Sequence, residues 1–331
     1  MAATVFVSGA SGFIAQHVIK QLLEKGYSVV GSVRSESKGE NLKKNFDTDE
    51  LSYEVVEDLE TVGAFDSALK KHPDVTIFIH TASPVAFQVN DNEKDIIIPA
   101  INGTVNVLQA IKTSAPKVKK VIITSSIVTQ LQIDDLSQTA TEDTWSNISY
   151  DRAKEDGYAA YFGSKAFAEK AGIEFVKSEK PNFTLSTIHP VYVFGPQVFD
   201  SEAKGSLNLS NTFVSRLLEL KSESDSQVPN TSGSFVDVRD VAAAHIIEIE
   251  KPSNGLRVIT SNDVFTSQKL LNIINKNFPD LNLIKGDTSP SAEDTKSNVD
   301  DTKSREYLGL DYIGLEESVV QTVKQYLVAN K

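Results

Sequence analysis

The 331-residue chain has no cysteine. That excludes disulfides, thiolate metal sites and cysteine nucleophiles together, and it fits a reducing compartment. Histidine is scarce: the five are His17, His72, His80, His189 and His245. No two of them stand at a ligand spacing such as H-E-x-x-H, so no metal centre is expected. Long apolar runs are missing too. Val121-Ile122-Ile123 is typical of those present, far short of the ~20 residues that cross a bilayer. The N-terminal segment also lacks the basic stretch and apolar length of a signal peptide. No membrane association and a cytoplasmic location are the expectation. Basic charge is in deficit, with 33 Lys and Arg against 45 Asp and Glu and a formal net charge of −12. Such a surface repels a polyphosphate backbone, so nucleic acid is not an expected partner, although a local basic site for one small anion remains open.

What is present is an ordinary globular composition, 40% hydrophobic and 24% charged. The length points to two subdomains. Strand-like stretches at 4–8, 28–33, 52–56, 75–80, 118–124 and 184–189 alternate with helical periodicity. One early helix steps through Ile14, Val18 and Leu22 and is closed by Gly26; others lie around 65–70, 101–112 and 159–176. This βαβα rhythm predicts an α/β fold with a doubly wound parallel sheet, the Rossmann plan, joined to a smaller C-terminal substrate-binding region. The nucleotide domain is expected over 1–190, with 233–252 returning to it, and the mainly substrate-binding region over 191–331. Within the latter, 196–232 is polar apart from an amphipathic stretch at 213–220. Residues 235–249 read as strand then helix, 255–260 as a strand, 287–304 as an exposed loop and 315–329 as a final helix.

Gly9-Ala10-Ser11-Gly12-Phe13-Ile14-Ala15 lies between the first strand and its helix. Gly9 permits a sharp turn, Gly12 permits close approach of a pyrophosphate to the backbone, and Ala15 lets helix and strand pack closely. The helix N-terminus then offers unpaired N–H groups and partial positive charge. A dinucleotide site follows from this turn in its strand-turn-helix setting. An NAD site calls for an acid after the second strand. This chain has Val33 then Arg34, with Lys38 four residues on, a pair suited to the 2′-phosphate of NADPH. Glu36 between them is the discordant residue. Asp58, just past the third strand, could accept from an adenine amino group or be a plain loop acid.

Tyr-x₃-Lys occurs twice, as Tyr150…Lys154 and Tyr161…Lys165. On a helix this spacing puts both side chains on one face, where an ammonium lowers a phenol pKa that is ordinarily ~10. A carbonyl that accepts hydride needs the proton such a phenol can give, and a serine hydroxyl can polarise the same oxygen. Tyr161 opens a sustained helical run, whereas Tyr150 is followed by Gly157, so Tyr161 is the better candidate. Thr124-Ser125-Ser126 ends the fifth strand at the sheet edge where ligands bind. Spacing does not choose between Ser125 and Ser126. His80 and His189 end strands near that edge and read as hydrogen-bonded structural histidines.

These residues resemble the extended short-chain dehydrogenase/reductases: Gly9…Gly12…Ala15, Thr124-Ser125-Ser126, and Tyr161…Ser164-Lys165 with Ala168-Glu169. Further segments resemble the dihydroflavonol-reductase-like branch, and within it yeast NADPH-dependent carbonyl reductases that act on methylglyoxal and 3-methylbutanal. They are Phe6-Val7-Ser8-Gly9-Ala10, His80-Thr81-Ala82-Ser83-Pro84, Pro99-Ala100-Ile101-Asn102-Gly103, Pro190-Val191-Tyr192-Val193-Phe194-Gly195-Pro196 and Val238-Arg239-Asp240-Val241-Ala242. The likeness runs from about residue 4 to 250, with a weaker echo at 303–309.

The resemblance implies a reductase transferring hydride from NADPH to small aldehydes and ketones, acting as a monomer or homodimer. It implies Ser126, Tyr161 and Lys165 as the catalytic set. The cofactor set it implies is Gly9, Ser11, Gly12, Phe13, Ile14, Arg34, Lys38, Asp58, Leu59, Thr81, Ala82, Ser83, Pro190 and Val193, with Tyr161 and Lys165. Candidate substrate contacts are Phe87, Ile127, Tyr192 and Phe235, with Trp145 and Phe199 on flanking segments. Ile127 departs from the aromatic residue relatives often carry there, which bears on pocket shape. Asn102, the candidate fourth polar group, abuts Gly103 and its register is open. A nucleotide-sugar epimerase or dehydratase and a non-catalytic NADP(H) sensor are the competing readings.

Overall fold

A computed structural model of the chain describes residues 3–83, 89–205, 207–221, 227–252, 255–287, 289 and 295–331. The strands are β1 (Thr4–Ser8), β2 (Ser28–Val33), β3 (Leu51–Val55), β4 (Val75–His80), β5 (Lys120–Thr124), β6 (Thr184–Pro190), β7 (Tyr192–Phe194), β8 (Ser232–Asp237), β9 (Arg257–Thr260) and β10 (Asp263–Thr266). The α-helices are α1 (Phe13–Glu24), α2 (Glu36–Phe46), α3 (Asp66–Lys71), α4 (Ile98–Ser114), α5 (Tyr150–Ala153), α6 (Gly157–Glu179), α7 (Thr212–Leu217), α8 (Val238–Glu250), α9 (Ser267–Asn277), α10 (Thr302–Leu308) and α11 (Leu315–Ala329). The chain divides into two compact units, Met1–His189 with Ala242–Ile259, and Pro190–Val241 with Thr260–Lys331.

The first unit is built on a seven-stranded sheet in the order β3-β2-β1-β4-β5-β6-β9. Neighbours from β3 to β6 run parallel, with Val5 opposite Val29, Phe6 opposite Phe78 and Ile79 opposite Ile122. Parallel strands buried on both faces need continuous apolar runs, and Val5-Phe6-Val7 and Val121-Ile122-Ile123 supply them. Phe6 stacks on Phe78 at 4.9 Å, and Phe65 meets both edge-on. Helix α1 turns Ala15, Val18, Ile19 and Leu22 inward, the 3–4 spacing of one helix face. Strand order reverses between β1 and β4. In doubly wound sheets the ligand crevice opens there, beyond the strand carboxyl ends, and Gly9 and Thr81 follow those ends.

The second unit holds a three-stranded sheet, with β7 parallel to β8 and β8 antiparallel to β10. Its core gathers Phe194, Phe235 and Phe265 with Leu270, Ile274, Val319 and Val323. The segment that returns to the first unit is Ala242–Ile259. Strand β8, expected inside a returning stretch of 233–252, instead pairs within the small sheet.

Candidate active site

At the β1–α1 turn Gly9 has φ +67°, and a Cβ there would stand 3.0 Å from Cα of Ala82. Only glycine lets the segment after β4 lie this close. Ala82 N–H donates to Ser8 Oγ at 3.3 Å, and the Thr81 hydroxyl donates to the Ser8 carbonyl. Gly12 caps α1 without a side-chain bond, and the first turn carries no acid. The opening N–H groups of the helix, those of Phe13 and Ile14 among them, are therefore available to an anion.

Arg34 and Lys38 are exposed on the loop and helix after β2. No carboxylate among the described residues pairs with either. Glu36 accepts a hydrogen bond from the Tyr53 hydroxyl at 2.6 Å. Asp58 lies in an exposed turn, accepting from Glu60 N–H at 2.8 Å and the Thr61 hydroxyl at 2.9 Å.

Ser126 follows β5, and Tyr161 sits in the second turn of α6, a helix opened by Asp156 accepting from Ala159 N–H at 2.8 Å. The Tyr161 hydroxyl lies 3.2 Å from Ser126 Oγ. Lys165, one turn on, lines an open pocket with His80, Ala82, Ser83, Leu59, Gly103, Thr124, Ser125 and Glu169. Burial brings its pKa down to about 8, against the opposing pull of Glu169. No hydrogen-bond acceptor engages its ammonium among the described residues. The Nδ1 atom of His80 is 2.7 Å from Ser8 Oγ, and burial, aided by the Lys165 charge, pushes its pKa down to about 3. It is therefore a neutral, hydrogen-bonded histidine. Asn102 is exposed and does not line the cavity.

The geometry separates the two serines. Ser125 Oγ donates to Glu169 Oε2 at 2.6 Å, which commits it, while Ser126 Oγ faces Tyr161. Glu169 also accepts from Arg257 Nε at 2.7 Å and lies 3.5 Å from His189 Nε2. Burial pushes the Glu169 carboxyl up, but the charges of His189 and Arg257 and the two hydrogen bonds outweigh it and hold it low. Arg257 goes on to the carbonyls of Glu142 and Thr144 at 2.8 and 2.7 Å, and its guanidinium lies 3.8 Å over the Trp145 ring. Trp145 thus stacks on a cation. Arg257 carried no sequence signal, and Glu169 carried only its place after Ala168. Tyr150 belongs to the short α5, with Lys154 5.5 Å over its ring and salt-bridged to Asp151.

Ile127, next to Ser126, is 8% exposed. In the second unit Pro190 and Val193 are buried, and Phe199 is partly exposed. Tyr192 is 38% exposed and meets Phe213 and Phe265 edge-on. Phe235 corrects an expectation. It is fully buried, stacked on Phe194 at 5.5 Å, and it offers no surface to a substrate. Phe87 lies outside the described residues.

The residues present fit a dinucleotide: an uncapped, acid-free helix start, a glycine-permitted close approach at Ala82, and a pocket-lining ammonium without an acceptor among the described residues. Together the fold and site define a doubly wound nucleotide-binding protein bearing a Ser–Tyr–Lys set. Residues 5–262 match the model of the NAD dependent epimerase/dehydratase family. A putative NADPH-dependent methylglyoxal reductase of Candida albicans is 48% identical, with 98% of each chain covered. The NADPH-dependent methylglyoxal reductase of Saccharomyces cerevisiae is 40% identical over the same shares. A crystal structure of a Candida albicans protein in complex with NADPH superposes with a TM-score of 0.94 at 46% identity, covering 99% of this chain and all of that one. The chain belongs to the NAD dependent epimerase/dehydratase family, and the resemblance to extended short-chain dehydrogenase/reductases is borne out. No helix among the described residues is long and apolar enough to cross a membrane.

Proposed function

We propose that the protein is an NADPH-dependent reductase of small aldehydes and ketones, of the methylglyoxal and 3-methylbutanal type, yielding alcohols. The observation that carries this reading is the Tyr161 hydroxyl 3.2 Å from Ser126 Oγ with Lys165 one turn away. Ser126 and Tyr161 donate hydrogen bonds to the carbonyl oxygen, and Tyr161 gives it a proton. The Lys165 ammonium stabilises the tyrosinate left behind and takes the hydroxyls of the nicotinamide ribose as its missing acceptors. When bound, the reduced nicotinamide supplies the hydride. The helix start at Phe13 and Ile14 receives the pyrophosphate, Arg34 and Lys38 the 2′-phosphate, and Thr81 and Ala82 border the nicotinamide and its ribose.

In this reading residues 1–190 with their returning segment hold the cofactor, and 191–331 mainly shape the substrate site. Relatives at 40–48% identity over nearly the whole chain bear reductase names, which supports carbonyl reduction over sugar-nucleotide epimerisation. The cysteine-free sequence supports a cytoplasmic location, and monomer or homodimer is the expected state. The test mixes purified protein with NADPH and a panel of aldehydes, diketones and sugar nucleotides while following reduced-nicotinamide absorbance. Net NADPH loss with aldehydes and diketones is the expected result. Conversion of a sugar nucleotide without net loss, or no turnover at all, would overturn it.

A further inference from the structure

Glu36 stands between the two bases Arg34 and Lys38, at the first position of α2. A carboxylate in that place is the wrong charge for a 2′-phosphate, because it repels the phosphate and neutralises the cations that would hold it. The structure shows where this acid goes. Tyr53, on the sheet's edge strand β3, donates its hydroxyl to Glu36 at 2.6 Å and also contacts Glu40 one turn further along α2. The two acids keep the phenol in its neutral, donating form by raising its pKa.

The ring that carries this hydroxyl lies directly on the helix at Gly39. A Cβ there would stand 2.2 Å from the Tyr53 ring, so the missing side chain makes room for the aromatic rather than for a turn. Glu36, Gly39, Glu40 and Tyr53 thus form one device, and Arg34 and Lys38 beside it are left without a carboxylate partner among the described residues.

We infer that Tyr53 selects the cofactor: by holding Glu36 against β3 it keeps Arg34 and Lys38 free for a 2′-phosphate and so sets the preference for NADPH over NADH. The inference rests on the proposed NADP(H) reading of those two bases. Without the phenol, Glu36 turns to the adjacent cations and sets its charge against the phosphate. NADH has no 2′-phosphate, and its binding changes little.

Calorimetric Kd values for NADPH and NADH, measured without substrate, test this on the wild type, Tyr53→Phe, Gly39→Ala and the double variant Tyr53→Phe/Glu36→Gln. The Kd ratio of NADH to NADPH should fall about fivefold in each single variant, the worth of one charge contact near a surface. The double variant, with the charge gone, should return to the wild-type ratio. A Tyr53→Phe ratio equal to wild type would overturn the inference, as would a loss that persists in the double variant. A wild type that binds both cofactors equally would overturn the NADP(H) reading itself.

Discussion

The hydroxyl of Tyr161 lies 3.2 Å from Oγ of Ser126, one residue beyond a serine whose own hydroxyl is committed to Glu169. The two hydroxyls therefore stand side by side, and they differ in what they can do for a carbonyl oxygen. Tyr161 can transfer a proton; Ser126 only donates a hydrogen bond.

Tyr161→Phe should accordingly lower kcat by about 10²–10⁴-fold, the range for losing a positioned general acid. Ser126→Ala should cost about 10²–10³, the range for losing one oxyanion donor. NADPH affinity should stay near wild type in both, because Tyr161→Phe keeps the ring that borders the cofactor and neither change touches the glycine turn, Arg34 or Lys165. Steady-state rates with calorimetric Kd values decide it. Retained turnover in Tyr161→Phe would move the proton transfer to another group.

Much of this was legible in the sequence because local rules wrote it. The turn at Gly9 and Gly12 needs conformational freedom and a close approach, and the apolar runs of the central strands mark burial on both faces. Helix α11 is the final helix expected at 315–329. What escaped notice depends on contacts distant in sequence. Helix α2 buries only Gly39 and Leu42, so it shows no apolar stripe. Ser125 and Ser126 are chemically equivalent until Glu169, 44 residues on, claims one of them. Phe235 reads the same in a pocket wall or a core, and only the packing of Phe194 places it in the core.

Lys165 should set the alkaline limit of the proposed reaction. Its pKa in the free enzyme is brought down to about 8, so the ammonium is lost as pH rises through that value, and the proposed proton donation by Tyr161 depends on it. The value of kcat/KM for NADPH, which reports groups of the free enzyme, should therefore fall above about pH 8. Lys165→Arg keeps its charge throughout the accessible range. Its residual activity should lack the decline near pH 8. The same decline in that variant would assign the limb to another group.

Glu169 and Arg257 form an ion pair at 2.7 Å whose side chains are 1% and 15% exposed. Removing one member of such a pair strands the other and typically costs about 3–5 kcal/mol, while replacing both is far milder. Glu169→Gln and Arg257→Met should each destabilise strongly in urea unfolding, and the double variant should be less destabilised than the sum. The Arg257 change should also loosen the segment after Ser126, since its guanidinium reaches the carbonyls of Glu142 and Thr144. Additive losses would show that the two residues do not act as a pair.

His80 makes acid stability depend on the nucleotide-binding sheet. Burial holds its pKa near 3 in the folded protein, against 6.5 for the ordinary side chain. Between those values the unfolded chain binds a proton that the folded chain refuses, so ν_U exceeds ν_N and stability rises with pH. The contribution is complete above pH 6.5 and is lost as pH falls through the window, by about 1.4 kcal/mol per pH unit at most. His80→Gln retains hydrogen-bonding capacity toward Ser8 Oγ but cannot titrate. Its stability in urea should start lower at pH 7 and then decline less steeply than wild type toward pH 4. Parallel curves for the two proteins would show that His80 accepts its proton in the folded state.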